Sequence, residues 1–163
     1  MPGHKYHIEV SLEQQKLYLK SGKKIIDIFN ISTAGNGPGE KMDSECTPRG
    51  KHIISEMIGG DCATGSVFVG REPTGEIYTP DLRSRYPERD WILTRILRLE
   101  GVEEGINKGG DVDSSQRMIY IHGSPDDVRM GIPGSHGCIR MRNVEVISLF
   151  ARVNEGMPVD IIE

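Results

Sequence analysis

The chain has no apolar run near the roughly 18 residues that a bilayer-spanning helix requires, so no membrane segment is read from it. It has no cluster of lysine and arginine interleaved with aromatics, and its formal net charge is -4, so nothing in it points to nucleic acid as a partner. Cysteine is scarce: Cys46, Cys62 and Cys138 are the whole complement. An odd set of three makes no disulfide framework and favours free thiols in a reducing compartment. The opening stretch, Met1-Pro2-Gly3-His4 running into Tyr6–Val10, lacks the basic start, apolar run and small-residue cleavage site of a secretory signal. These absences set the expectation of a cytoplasmic protein, with a periplasmic location as the alternative if a leader has been removed. There is no internal repeat and no low-complexity tract.

What is present suits an ordinary globular domain. At 163 residues, 36% hydrophobic and 27% charged, the chain can bury a full core as a single domain over residues 1–163. Residues 6–10, 16–20 and 24–31 alternate or cluster apolar side chains, and Ser21-Gly22 punctuates the last two as a hairpin turn. Residues 34–50 turn to Gly, Pro, Asn and Glu and read as a loop. Further strands are expected at 51–55 and 66–70, with a loop over 59–65 and a long surface connection over 73–90. Residues 91–99 fit a helix face or a strand face, and their short length favours strand. Residues 101–113 are a polar, Gly-rich loop. Arg117–His122 reads as a strand ending on the histidine, where Gly123 lets the backbone turn. Asn143 is placed to cap a helix running to Val153, and residues 159–162 close the chain as a strand. The expectation is a mainly β domain with one or two helices.

The chemistry concentrates between Ile121 and Arg142. His122-Gly123-Ser124-Pro125 leads through a polar loop to Ser135-His136-Gly137-Cys138-Ile139-Arg140. A thiol becomes a strong nucleophile only as its thiolate, and a nearby imidazole can take the proton. Cys138 follows His122 by sixteen positions, a loop long enough to bring the sulfur back to the ring. Gly134 and Gly137 permit tight turns around the cysteine, and the backbone N–H groups of Gly137 and Cys138 could face a developing oxyanion. Pairing with His122 is expected to lower the pKa of Cys138.

These residues resemble the L,D-transpeptidase catalytic domain, the YkuD family. Its signature is a histidine, a spacer, then Ser/Thr-His-Gly-Cys followed by an apolar residue and usually Arg or Asn. Here that is His122, the spacer 123–134, Ser135-His136-Gly137-Cys138, Ile139 and Arg140, the spacer being slightly shorter than the commonest form. The likeness extends to Gln15–Leu19, Ile31–Gly35, Gly39-Glu40 and Thr47–Gly50, and so covers most of the chain. The resemblance implies a β-sandwich-like domain and a thioester mechanism on murein stem peptides. Cys138 would attack the meso-diaminopimelate carbonyl and expel the terminal D-alanine, with His122 as base. The Gly123 carbonyl would orient the imidazole in the place an Asp or Asn takes in other triads. Ser135, His136 and Gly137 would support the loop and oxyanion site. An Arg fork suits carboxylates, so Arg140 is read as holding a substrate carboxylate or the cysteine loop. No cofactor is implied, and carbapenems are implied as covalent inhibitors. The expected activity is that of a cysteine L,D-carboxypeptidase trimming tetrapeptides, as muropeptides or nucleotide-linked precursors, during murein recycling. An exported cross-linking L,D-transpeptidase is the alternative.

Other readings compete. His122, His136 and Cys138 are a possible His₂Cys zinc set, although no second cysteine or carboxylate stands nearby at a familiar spacing. A non-catalytic murein-binding domain would not need the intact thiol. Cys46 and Cys62 read as buried or surface thiols without a role, and His4, His7 and His52 as surface residues.

Overall fold

A computed structural model describes residues 4–163; Met1–Gly3, where the leader reading begins, lie outside the described residues. The chain starts as a meander of β1 (His7–Ser11), β2 (Lys16–Ser21) and β3 (Lys24–Asn30). Antiparallel pairing sets Ile8 opposite Leu19 and Val10 opposite Leu17, and all four side chains are buried completely. This is the period-two pattern of the sequence expressed as one inward face. Gly22, with φ of 60°, makes the tight turn into β3.

Next come β4 (Gly50–Ile58), β5 (Ser66–Val69), β6 (Glu72–Ile77), α1 (Pro80–Arg85), β7 (Ile92–Gly101), β8 (Tyr120–Ser124), β9 (Ile139–Arg142), α2 (Asn143–Phe150) and β10 (Pro158–Ile162). All ten strands belong to one sheet ordered β3-β2-β1-β10-β4-β7-β5-β6, with β8 added to β7 and β9 to β8. The expected sandwich-like layering is this one sheet, curled so that the main core lies inside it. Val146 and Leu149 of α2 fill the curl beside Ile121, Ile139 and the inward residues of β1, β2 and β10.

β7 is the branching strand. β4 and β5 pair with it, and β8 also pairs with it through a register shift between Leu93 and Ile96. Thr94 stands in that shift with φ of 75°, a conformation a β-branched residue ordinarily avoids. Its completely buried hydroxyl donates to Asn143 Oδ1 at 2.6 Å and accepts from the Gly65 N–H at 3.0 Å. These bonds hold the strained turn in place.

Several local expectations are corrected. The segment 73–90 is not merely a connection: it contributes β6 and then α1, which Thr79 caps by accepting from Leu82 N–H at 3.0 Å. The strand expected to end at His122 begins later, at Tyr120, and runs through the histidine to Ser124. Its predicted start is occupied by a turn in which Met118 has φ of 57°. Asn143 does not cap α2. Arg142 holds that position without a side-chain bond, while Asn143 turns inward to Thr94 and donates to Asp126 Oδ1 at 3.1 Å. His52, read as a surface residue, is 1% exposed.

Candidate active site

Strands β8 and β9 are parallel, with Ile121 beside Ile139 and His122 beside Arg140. Alternation sends Ile121 and Ile139 into the main core and turns Tyr120, His122 and Arg140 to the opposite face. Carried one residue back, this register sets Cys138 beside Tyr120. Two contacts agree: the Tyr120 N–H donates to Cys138 Sγ at 3.4 Å, and Cys138 packs against the cluster of Phe68, Ile96 and Tyr120. His122 and Cys138 therefore share a face as diagonal neighbours.

The histidine is completely buried. Its Nδ1 lies 2.6 Å from the Gly123 carbonyl oxygen. A carbonyl only accepts, so Nδ1 carries the proton and the neutral ring presents a bare lone pair at Nε2. That Nε2 is buried and has no hydrogen-bond partner. Burial pushes the His122 pKa down, and the bond to Gly123 partly offsets it. The thiol of Cys138 donates to the Met118 carbonyl at 3.3 Å. Burial pushes it up to about 12, against the opposing pull of the Tyr120 N–H. The resting pair is thus thiol and neutral imidazole. The expected depression of the thiol pKa by pairing is reversed, because desolvation outweighs any attraction between charges that have not yet formed. Such a pair suits proton transfer at the moment of attack, not a standing ion pair.

The turn carrying Cys138 is held from below. Ser135 Oγ donates to the Cys138 carbonyl at 2.6 Å and accepts from the Gly137 N–H at 3.2 Å. Thr47 Oγ1, completely buried, donates to the Gly137 carbonyl at 2.9 Å and accepts from Ala34 N–H at 3.0 Å. The stretch after β3 adds a backbone ladder: Ser32 and Arg140 exchange bonds of 3.0 and 2.9 Å, and Gly35 N–H donates to Ser135 O at 2.9 Å. Gly137 has φ of 132°, and a Cβ there would stand 3.2 Å from the Cys46 carbonyl oxygen. At Gly123 the demand is for space. A Cβ would lie 2.5 Å from Asn143 Oδ1 and 2.7 Å from Leu93 O.

The remaining sequence candidates fall as follows. Arg140 donates to Gly134 O at 3.1 Å and faces Asp90 at 3.5 Å, so it ties the cysteine loop while lining a cleft of about 260 Å³ with His136, Asp90 and Trp91. His136 is exposed in that cleft, and the bonds that shape the loop come from Ser135 and Thr47 instead. The Gly137 N–H is already committed to Ser135, which leaves that of Cys138 for an oxyanion. Among the described residues no group of three His, Cys, Asp or Glu side chains is placed to hold a metal ion. No helix among them is long and apolar enough to cross a membrane. Sequence reasoning passed over Arg117 and the specific role of Thr47, although Thr47-Pro48-Arg49-Gly50 stood out as a block.

A curled β-sheet with a cysteine and a lone-pair imidazole on one face defines the site, and known proteins share its fold. The family model of the L,D-transpeptidase catalytic domain, YkuD, matches residues 5–161, and the chain belongs to that family. No curated protein matches it. Among solved structures, a cysteine-to-serine mutant of the Enterococcus faecium L,D-transpeptidase is 18% identical with a TM-score of 0.58, covering 98% of this chain and 50% of that one. A protein of Bdellovibrio bacteriovorus is 18% identical with a TM-score of 0.60, covering 98% and 48%. L,D-transpeptidase 3 from Mycobacterium tuberculosis, in complex with a faropenem-derived adduct, is 14% identical with a TM-score of 0.56, covering 98% and 60%. The chain spans about half to three-fifths of the length of these structures.

Proposed function

We propose that the protein is a cysteine acyltransferase acting on murein stem peptides, and that its acyl acceptor is water, making it an L,D-carboxypeptidase. The observation that carries the first part is the unpartnered Nε2 of His122, its tautomer fixed by Gly123, on the same face as Cys138. In the proposed reaction the Cys138 proton moves to His122 Nε2 as sulfur attacks the meso-diaminopimelate carbonyl. The Cys138 N–H donates to the oxyanion. Collapse breaks the bond to D-alanine, whose amine leaves with the proton from His122, and a thioester remains. Water then gives a proton to the same nitrogen and attacks the thioester. The tripeptide acid departs, and the proton returns to sulfur.

Concentration supports water as acceptor: a soluble tetrapeptide offers dilute amines, whereas water is abundant. The matching role is trimming of tetrapeptides in murein recycling in the cytoplasm. A second reading, an exported cross-linking enzyme, is favoured by the solved L,D-transpeptidases that share the fold. The faropenem-derived adduct of one structural neighbour, a penem product, and the imipenem complex of another, a carbapenem, support β-lactams, carbapenems among them, as covalent inhibitors here too. The test is to incubate the protein with a disaccharide tetrapeptide and follow products by mass. Tripeptide plus free D-alanine is expected, and both should vanish in Cys138→Ala but persist in Cys46→Ala and Cys62→Ala. Cross-linked dimer as the main product would overturn the carboxypeptidase reading, and turnover by Cys138→Ala would overturn the mechanism.

A further inference from the structure

Arg117 lies just ahead of β8, on the turn that feeds the site. It is half-buried, and its guanidinium spends its donors on uncharged acceptors: Cys46 O at 2.6 Å, Gly39 O at 3.3 Å and Ser44 Oγ at 3.4 Å. Glu40, the nearby acid, is taken by Arg49 at 2.9 Å, and Asp43 is exposed on the same loop. A guanidinium stays charged even when partly desolvated, so this is a permanent cation without an ion-pair partner among the described residues.

The backbone and the guanidinium of Arg117 both support the turns around Cys138. Its backbone leads directly into Met118, whose carbonyl accepts a hydrogen bond from the thiol at 3.3 Å, and then to Tyr120, whose N–H donates to the sulfur at 3.4 Å. Its guanidinium grips the Cys46 carbonyl, the oxygen that a Cβ at Gly137, the residue before Cys138, would meet at 3.2 Å. We propose that Arg117 is a positioning residue that biases Cys138 toward thiolate by holding a fixed positive charge behind the turn that carries the sulfur. The inference rests on the nucleophile reading above and adds a group that the His-to-Cys signature does not contain. Across the site, Asp90 and Arg140 act on the same thiol in opposite senses, Asp90 against the thiolate and Arg140 for it. Arg117 acts in favour of the thiolate from the other side; burial pulls its own pKa below the usual guanidinium range, and Cys46, Glu40, Cys138 and Asp43 offset that only in part. With sulfur, imidazole and their surroundings desolvated, a charge at this place counts for more than it would in water.

The test is mass-resolved alkylation by iodoacetamide between pH 7 and 9, which reads each cysteine separately and needs no turnover. Well below the thiol pKa the rate follows the thiolate fraction. An opposite charge in the same desolvated neighbourhood favours the thiolate by a fraction of a pKa unit up to about one, so Arg117→Gln should slow Cys138 alkylation by roughly three- to tenfold at every pH in that range. Arg117→Lys, which keeps the charge but not the fork, should retain most of the rate. A purely structural tie predicts otherwise: both variants would lose thermal stability together, Cys46 would label faster as its loop opens, and Cys138 would be unchanged or fall equally in both. That pattern overturns the proposal. If Arg117→Gln does not fold, Arg117→His serves within one protein with the alkylation series extended down to about pH 5.5, because its charge disappears as pH rises through about 6.5. Its deficit against wild type should widen across that pH, and a constant ratio would overturn the proposal. Failure of the nucleophile reading is seen separately, as turnover by Cys138→Ala.

Discussion

Two histidines lie buried in this sheet, and they differ at one nitrogen. His52, on β4, holds Gly50 O with Nδ1 at 3.0 Å and Ser114 Oγ with Nε2 at 2.8 Å. His122, on β8, holds Gly123 O with Nδ1 at 2.6 Å and nothing with Nε2. Burial is nearly equal and lowers both pKa values. Each ring is anchored by a carbonyl of its own strand neighbourhood. A buried polar atom without a partner costs about 1–3 kcal/mol, so folds ordinarily fill such positions, as Ser114 does for His52. The one left open at His122 is the nitrogen to which the proposed mechanism assigns the Cys138 proton.

The sharpest way to break this comparison is to remove each ring in turn. His122→Ala should slow acylation of Cys138 by a carbapenem, read by mass, by about 10²–10⁴-fold, the scale of general-base help. His52→Ala should leave that rate nearly intact; an equal loss from both would mean that the open nitrogen carries no special role. Next in size is Gly123→Ala. The new methyl meets Asn143 Oδ1 at 2.5 Å and Leu93 O at 2.7 Å, both anchored, so the carbonyl that orients His122 must shift. We expect a loss of about 3 kcal/mol or more by urea denaturation, the upper range for overpacking. A near-neutral result would show that the β7–β8 contact can yield. His52→Ala itself should cost about 1–3 kcal/mol, because Ser114 and the Gly50 carbonyl lose their partner in the interior; no change in the urea midpoint would show that water replaces the ring there.

The smallest effect is a pH dependence of stability. Both histidines have folded pKa values below the unfolded value near 6.5, so the unfolded chain binds more protons in mild acid. Their contribution is fully present above about pH 6.5 and is lost as pH falls through that value toward the folded pKa values. The thermal midpoint should therefore drop between about pH 6.5 and 5, before the carboxylates titrate, and His52→Gln should flatten part of the drop. A midpoint independent of pH over that window would contradict the burial of neutral rings.

Much of this was readable before the fold was known. Alternation located β1, apolar runs around a Gly-containing turn located β2 and β3, the short length of its run favoured strand for β7, and the Ser-His-Gly-Cys context singled out Cys138 and His122. What stayed hidden depends on partners distant in sequence. His52 is interior because the loop carrying Ser114 folds over β4, and no local pattern around Lys51-His52-Ile53 announces that cover. Asn143 has the right residue type for a helix cap, yet the strained Thr94, 49 positions earlier, claims its oxygen. β6 and α1 were lost in a segment rich in Pro, Arg and Asp, although Thr79-Pro80 is a good helix start. Arg117 reads as one more basic residue until the Cys46 carbonyl, 71 positions away, arrives beneath it.

The position of β10 has a consequence for the order in which this protein is made. β10 is the last of the described strands in sequence, yet it lies between β1 and β4, parallel to the first and antiparallel to the second. Until residues 158–162 leave the ribosome, the edges of β1 and β4 that β10 fills are both bare, and the N-terminal meander meets the part that carries Cys138 and His122 only through the Ser32–Arg140 and Gly35–Ser135 bonds and the shared core. Such edges invite pairing with other chains. β1 and β10, far apart in sequence, must meet to close the sheet, so its closure is a long-range step whose loop entropy comes due before the last pairing forms.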